Sequence, residues 1–274
     1  MTALALKRLE GELGKHQGLV VGFSGGADSA LLAFLATRTL GRDNVACVTA
    51  VSASLAHDEL EDCRLLASEW ALDWQVVQTD ELANPSYVAN GPDRCYHCKA
   101  ELMSALEPLA AARRATIALG VNLDDLGDHR PGQTAASERG AAFPLVEAAM
   151  TKSDVREVSA LLGLRTADKP AAACLASRLP YGTPVSIGVL ASVGKAEECL
   201  RRLGFAASRV RHYGDLARVE LPLGDLERAI WQREEIVEAV KAAGYRYVTL
   251  DLEGLRSGNL NAAAGISGLA QTRA

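Results

Sequence analysis

Short β-branched and aliphatic runs alternate with amphipathic segments through the first half of the chain. GLVVGF (18–23) is an apolar run of strand length, and DSALLAFLATRTL (28–40) repeats apolar residues at helical spacing until Gly41 stops it. NVACVTAV (44–51) and WQVVQTD (74–80) predict further strands, with HDELEDCRLLASEWAL (57–72) as the helix between them. YHCKAELMSALEPLAAARR (96–114) predicts a helix that Pro108 should kink or shorten, and ATIALGVN (115–122) closes the series as a strand. Strands alternating with helices imply right-handed crossovers and a parallel sheet covered on both faces, a doubly wound α/β architecture.

The order changes near residue 165. TKSDVREVSALLGL (151–164) predicts a helix capped by Thr151 or Ser153. RTADKPAAACLASRLPYGTPVS (165–186) has no clear period and is expected to cross between domains or form a functional loop. Beyond it come a helix (187–204), a hairpin turning at Gly214-Asp215, a helical stretch (225–244) and a strand in YRYVTLDLEG (245–254). That order predicts a smaller α+β domain over 166–257 behind a larger domain over 1–165. The tail 258–274 has little to bury and is expected to be flexible.

With 274 residues and 49% hydrophobic content the chain can bury a full core. The net charge of −5 comes from mixed charges with no long basic stripe, which argues against a nucleic-acid track. No apolar run approaches the roughly 20 residues of a spanning helix. The N-terminal MTALALKRLEGELGKHQG carries charges through its middle, unlike a secretory leader. A cytoplasmic protein with no membrane partner is expected, and the expected assembly is a homo-oligomer. Six cysteines, at 47, 63, 95, 98, 174 and 199, are too sparse for a secreted disulfide scaffold. Cys47, Cys63 and Cys199 lie in strand-like or helix-like segments and read as small core residues. Cys95, Cys98 and Cys174 lie in loop-like surroundings and need another account.

The apolar strand at 18–23 breaks into Ser24-Gly25-Gly26-Ala27-Asp28-Ser29, and a helix starts at once. A Gly-Gly turn feeding a helix N-terminus exposes backbone N–H groups beside the positive end of the helix dipole. Glycines admit an oxygen-rich ligand to the backbone and serines add hydroxyls, so the site suits an anion, phosphate above all. Asp28 suits an anion site only if a divalent cation accompanies the phosphates, as Mg²⁺ does with ATP. The plainer alternative is a tight turn capped by Asp28. The loop matches neither G-x-x-x-x-G-K-[ST] nor G-x-G-x-x-G.

SGGADS after a strand resembles the SGGxDS signature of the PP-loop ATP pyrophosphatases, which cleave ATP between its α and β phosphates. On that resemblance 1–165 is a PP-loop domain, with Ser24, Gly25, Gly26, Asp28 and Ser29 on the ATP phosphates. LGVNLDDLGD would close the nucleotide pocket, Gly120 and Asn122 shaping it and Asp125 or Asp128 holding a metal or capping a turn. GPDRCYHCKAELM, DKPAAACLASRLPYGTPVS, FPLVEAAMTKSDVRE and RVRHYGDLARVEL extend the likeness over roughly residues 10 to 250, in order. Together they resemble the LarE family, ATP-dependent sulfur transferases of nickel-pincer nucleotide biosynthesis. The resemblance implies that a pyridinium carboxylate mononucleotide is adenylated and converted to a thiocarboxylate, with 166–257 as the substrate and sulfur-transfer domain.

Cys174 in AAACLASR matches the family's sulfur-giving cysteine, which in a sacrificial mechanism becomes dehydroalanine. Arg178, one turn on if the segment is helical, would lower its pKa. Cys95 and Cys98, two residues apart, commonly signal zinc or an iron–sulfur cluster. With Cys174 they supply three thiolates, enough for a 4Fe–4S cluster with one open iron, and the resemblance to relatives with this trio implies that such a cluster carries an extra sulfide from a sulfide donor. A structural zinc with His97, or a simple reduced pair, are the alternatives.

Arg209 and Arg211 alternate along a strand and suit a substrate phosphate, a role the resemblance supports, although a solvated strand face would look the same. The resemblance also sets Glu198 against an acid that binds metal near the active site. Competing readings are a tRNA-thiolating PP-loop enzyme, disfavoured by the acidic balance, and a non-catalytic nucleotide-binding regulator stabilised by zinc.

Overall fold

The apolar runs pair as the alternation demands. A computed structural model describes residues 1–127, 131–170 and 173–256. It begins with α1 (Thr2–Leu13), β1 (Leu19–Gly22), α2 (Ala27–Leu40), β2 (Val45–Val51), α3 (His57–Glu69) and β3 (Trp74–Gln78). There follow α4 (Pro85–Val88), α5 (Arg94–Arg113), β4 (Thr116–Leu119), α6 (Pro131–Glu138), α7 (Pro144–Glu147) and α8 (Lys152–Leu161). The remainder is α9 (Ile187–Arg202), β5 (Arg209–Tyr213), β6 (Leu216–Glu220), α10 (Leu226–Trp231), α11 (Arg233–Ala242) and β7 (Tyr247–Leu250). The chain divides into two compact units, Met1–Tyr87 with Asp93–Ala172, and Val88–Pro92 with the chain from Ala173 onward. Among the described residues no helix is long and apolar enough to cross a membrane. The tail 258–274 and Asp128, both given expectations above, lie outside the described residues.

In the first unit four parallel strands run in the order β3-β2-β1-β4, with Val21 opposite both Cys47 and Ala118. β1 is central and buried on both faces, which is why its sequence is a continuous apolar run rather than an alternation. Leu19 and Val21 pack with α1, α2, α3 and α8, while Val20 packs with Met103, Leu106 and Ala110 of α5. Leu31, Leu32 and Leu35 of α2 are fully buried, each worth about 1.5–3 kcal/mol of apolar burial. Strand order reverses direction between β1 and β4, and open α/β sheets bind ligands outside the strand ends at such a switch point.

Two elements differ from the pattern-based expectation. α5 continues five residues beyond Pro108 to Arg113, so the proline does not shorten it. A proline removes a single intrahelical donor, and the burial of Met103, Leu106 and Ala110 on either side outweighs that loss. The stretch 225–244 is two helices, α10 and α11, separated by Gln232.

In the second unit β5 and β6 form an antiparallel hairpin whose turn includes Gly214 at φ +64°, and β7 adds parallel to β6. Val88–Pro92 folds into this unit as well. Its Asn90 is fully buried and donates from Nδ2 to the carbonyls of Pro180 (2.8 Å) and Thr183 (2.9 Å).

Candidate active site

At the end of β1 the chain turns through Gly25, whose φ of +68° lies in the left-handed region and whose added Cβ would meet Cys63 Sγ at 2.9 Å. Ser29, in the first turn of α2, ties the loop together. Its Oγ accepts from Ser24 N (3.2 Å), donates to Gly26 O (3.2 Å) and lies 3.0 Å from Ser24 Oγ. The first amides of α2 have no intrahelical acceptor and carry the positive end of the helix dipole. The loop thus sets backbone amides and two hydroxyls at the sheet's switch point.

The end of β4 closes against it. A Cβ on Gly120 would come within 2.7 Å of Ser29 N and 2.9 Å of the Asp28 carbonyl carbon, so only glycine lets β4 approach this helix terminus. Asn122 is buried and donates from Nδ2 to Asp28 Oδ1 at 3.0 Å. Asp125 caps the same turn, its Oδ2 accepting from Asn122 N at 3.1 Å. Lys152 Nζ meets Asp28 Oδ2 at 2.5 Å. Beside these residues a cleft of about 610 Å³, open mouth included, is lined by Ser24, Ser29, Val48, Lys99 and Gly120.

All six cysteines are reduced thiols. Burial pushes the pKa of Cys47 up to about 12 and that of Cys63 up to about 11, as befits inert core positions. Cys199 is only half buried, so the expectation of a core residue holds less well there. Cys95 is exposed and Cys98 half buried in the first turns of α5, helical and not in the loop-like surroundings expected of them, three residues apart and so on one helix face. Cys98 Sγ lies 3.8 Å from Oε1 of the buried Glu81, and His97 pairs with Asp93 at 3.1 Å. Among the described residues no three His, Cys, Asp or Glu side chains form a ready metal site.

In the second unit Cys174 is exposed at the N-cap of the 3-10 turn Leu175–Arg178. Its carbonyl accepts from Ser177 N (2.9 Å), Ser177 Oγ (2.7 Å) and Arg178 Nη1 (3.3 Å). Arg178 also donates to Ala173 O at 2.7 Å and pairs bidentately with Glu197, which in turn accepts from Val210 N at 2.9 Å. Arg178 therefore grips the backbone of the cysteine loop. Arg211 is buried, paired with Glu220 at 3.0 Å and donating to Ser177 O at 2.9 Å. Arg209 donates to Arg256 O at 3.1 Å, and burial followed by the charges of Arg178 and Arg211 lowers its pKa. Arg178 and Arg211 are thus each paired with a buried glutamate, whereas Arg209 bonds a backbone carbonyl.

Several residues here went unmarked in the sequence. Glu197 sits in the apolar stripe of α9 with Leu190, Val193, Ala196 and Leu200, and an acid in such a stripe is a signal of a buried pair. Glu198 is half buried and pairs with Arg202, so the fully buried acid at this point of the helix is its neighbour. Lys152 carried no signal beyond its place at a helix start.

The parallel sheet and the Ser24–Ser29 loop at the head of α2 define a PP-loop-type α/β domain, and residues 6–95 match a family described as NAD synthase. An uncharacterized protein of Synechocystis is 46% identical over 259 residues, covering 93% of this chain and 95% of that protein. The pyridinium-3,5-bisthiocarboxylic acid mononucleotide synthase of Lactiplantibacillus plantarum is 39% identical over 264 residues, covering 95% and 96%. The chain belongs to the LarE family, to which that synthase belongs. An uncharacterized protein of Methanocaldococcus jannaschii is 30% identical over 247 residues.

Proposed function

We propose that the protein is an ATP-dependent sulfur transferase that converts a pyridinium carboxylate mononucleotide to its thiocarboxylate, releasing AMP and pyrophosphate, as a cytoplasmic homo-oligomer. The observation that carries this is the end-to-end similarity to the L. plantarum synthase, at 39% identity. In this reading residues 1–165 bind ATP and 166–257 carry substrate and sulfur transfer.

Ser24, Gly25, Gly26 and Ser29 hold the ATP phosphates on the amides heading α2, with Gly120 and Asn122 shaping the pocket wall. The carboxylate of Asp28, a hard oxygen donor fixed by Asn122, suits Mg²⁺. Mg²⁺ would neutralise charge on the phosphates as the substrate carboxylate attacks the α-phosphorus. Arg209 and Arg211 bind the substrate phosphate.

Cys95, Cys98 and Cys174 are soft thiolate donors, two of them on one helix face, and their chemistry suits a 4Fe–4S cluster. Such a cluster would supply the additional sulfide. Arg178 fixes the Cys174 loop for the displacement of AMP by sulfur at the activated carbonyl. The test is incubation of the protein with ATP, Mg²⁺, sulfide and the pyridinium carboxylate mononucleotide. Equal amounts of AMP, pyrophosphate and thiocarboxylate are expected; pyrophosphate without a sulfur-containing product would sink the sulfur-transfer reading.

A further inference from the structure

Lys152 is the first residue of α8, where a cation opposes the helix dipole. The helix start needs nothing from it, because Thr151 and Asp154 already form a capping box. Its position is nonetheless fixed. Its backbone N–H donates to Asp124 Oδ2 at 2.7 Å, and its Nζ reaches across to Asp28 Oδ2. With Asn122 on Oδ1, both carboxylate oxygens of Asp28 are engaged. Asp124 lies on the turn after β4, so Lys152 joins Asp28 to that turn, through its ammonium on one side and its backbone N–H on the other.

We propose that Lys152 is the exchangeable counter-ion of Asp28: a divalent cation arriving with ATP takes Oδ2, and the ammonium moves onto the phosphates. This rests on the reading that Asp28 serves Mg–ATP. Three features support the exchange. The Lys152 side chain keeps 33% of its surface exposed, so the head group can leave without first breaking a packed core. Asp28 stands in the first turn of α2, next to the amides that would cradle phosphate, within reach of a flexible four-carbon stem. A triphosphate brought beside the Asp28 carboxylate needs positive charge beyond what the helix terminus offers, and one mobile ammonium serves both states. In the empty site it suppresses repulsion around Asp28; in the loaded site it follows the negative charge.

The experiment uses the full-length protein as wild type, K152M, K152R and D28N. Mn²⁺ binding without nucleotide is measured by electron paramagnetic resonance, and Mg–ATP binding by calorimetry. K152M is expected to bind Mn²⁺ about fivefold more tightly than wild type, because its competitor is gone. The same variant is expected to bind Mg–ATP about tenfold more weakly, having lost a charge-assisted phosphate contact. K152R should stay close to wild type in both, and D28N should lose the Mn²⁺ signal. Should K152M fail to fold, judged by circular dichroism, K152Q carries the same test. A folded K152M with wild-type Mn²⁺ affinity, or with wild-type Mg–ATP affinity, overturns the proposal while leaving the ATP reading intact. A wild-type protein that binds neither Mn²⁺ nor Mg–ATP overturns both.

Discussion

Arg178 and Glu197 face each other through two parallel hydrogen bonds, Nε to Oε1 at 2.8 Å and Nη2 to Oε2 at 3.0 Å, with both side chains over 90% buried. The pair joins the 3-10 turn after Cys174 to helix α9, and through Val210 N to strand β5. Removing one partner of a buried ion pair leaves an uncompensated charge and costs about 3–5 kcal/mol. Glu197→Gln should therefore lower the unfolding free energy towards the lower end of that range, since the amide oxygen can still accept a bond. Thiocarboxylate formation should fall while ATP-dependent pyrophosphate release persists, because the variant disturbs the cysteine loop and leaves the phosphate loop alone. Denaturant melts and separate assays of the two products check this; loss of both products in equal measure would contradict it.

Asp28→Ala should abolish pyrophosphate release in a protein that still folds. Asp28 is bonded to Asn122 and Lys152 and contributes nothing to the leucine core of α2. Native circular dichroism with no pyrophosphate is the expected outcome. Pyrophosphate at the native rate would remove Asp28 from the chemistry.

The doubly wound sheet was legible because β1, β2 and β4 are buried runs separated by helices of unambiguous period. The turn of the Ser24–Ser29 loop was legible because its composition sets its geometry: glycine for φ +68° at Gly25, serine for the hydroxyl tie at Ser29. What escaped were contacts between residues far apart in sequence. Lys152 meets Asp28 across 124 positions, and no local pattern encodes that. Arg178 was marked for its nearness to Cys174, but its bonds to Glu197 and to carbonyl oxygens come from packing against α9. The fate of Pro108 likewise depended on apolar burial on both sides of it.

Arg209 and Arg211 share a strand face but not an environment. Arg211 is 5% exposed and pairs with the fully buried Glu220, whereas Arg209 has a backbone carbonyl as partner and like charges as neighbours. Arg209→Ala should weaken binding of the mononucleotide by one to two decades, about 1.5–3 kcal/mol, with little change in ATP affinity or melting temperature. Arg211→Ala should add a clear loss of stability, because it strands Glu220. Calorimetric titration with each ligand and thermal melts separate the two; equal weakening of ATP and substrate would assign both arginines to the nucleotide site.

Thiol reactivity should divide the cysteines by burial. Desolvation raises the pKa of Cys63 to about 11 and of Cys47 to about 12, so at pH 8 both keep their protons and lack the reactive thiolate. Cys95 and Cys174 are exposed and should take up a maleimide within minutes in metal-free protein. The buried pair should label only on unfolding, or slowly as pH rises towards 11. Mass spectrometry of labelled peptides reads the order, and Cys63 reacting as fast as Cys174 at pH 8 would refute it.

Cys95, Cys98 and Cys174 are the thiols with which the proposed route of sulfur delivery can be tested. Cys95 and Cys98 stand one turn apart on a single face of α5, and Cys174 heads a turn whose carbonyl is held by three donors. An exposed cysteine on a fixed backbone suits a ligand position as well as it suits a sacrificial donor. If the three hold a 4Fe–4S cluster, protein prepared without oxygen should be brown and contain iron and acid-labile sulfide. Each of Cys95→Ala, Cys98→Ala and Cys174→Ala should reduce or remove that colour. Added sulfide should then give more than one thiocarboxylate per polypeptide, since no atom of the chain is consumed. Under the sacrificial alternative the outcome reverses on every point. Cys95→Ala would retain one product per chain, sulfide would not raise the yield, and spent protein would be lighter by H₂S at residue 174. A colourless enzyme with that mass loss would overturn the cluster and leave sulfur transfer through Cys174 standing.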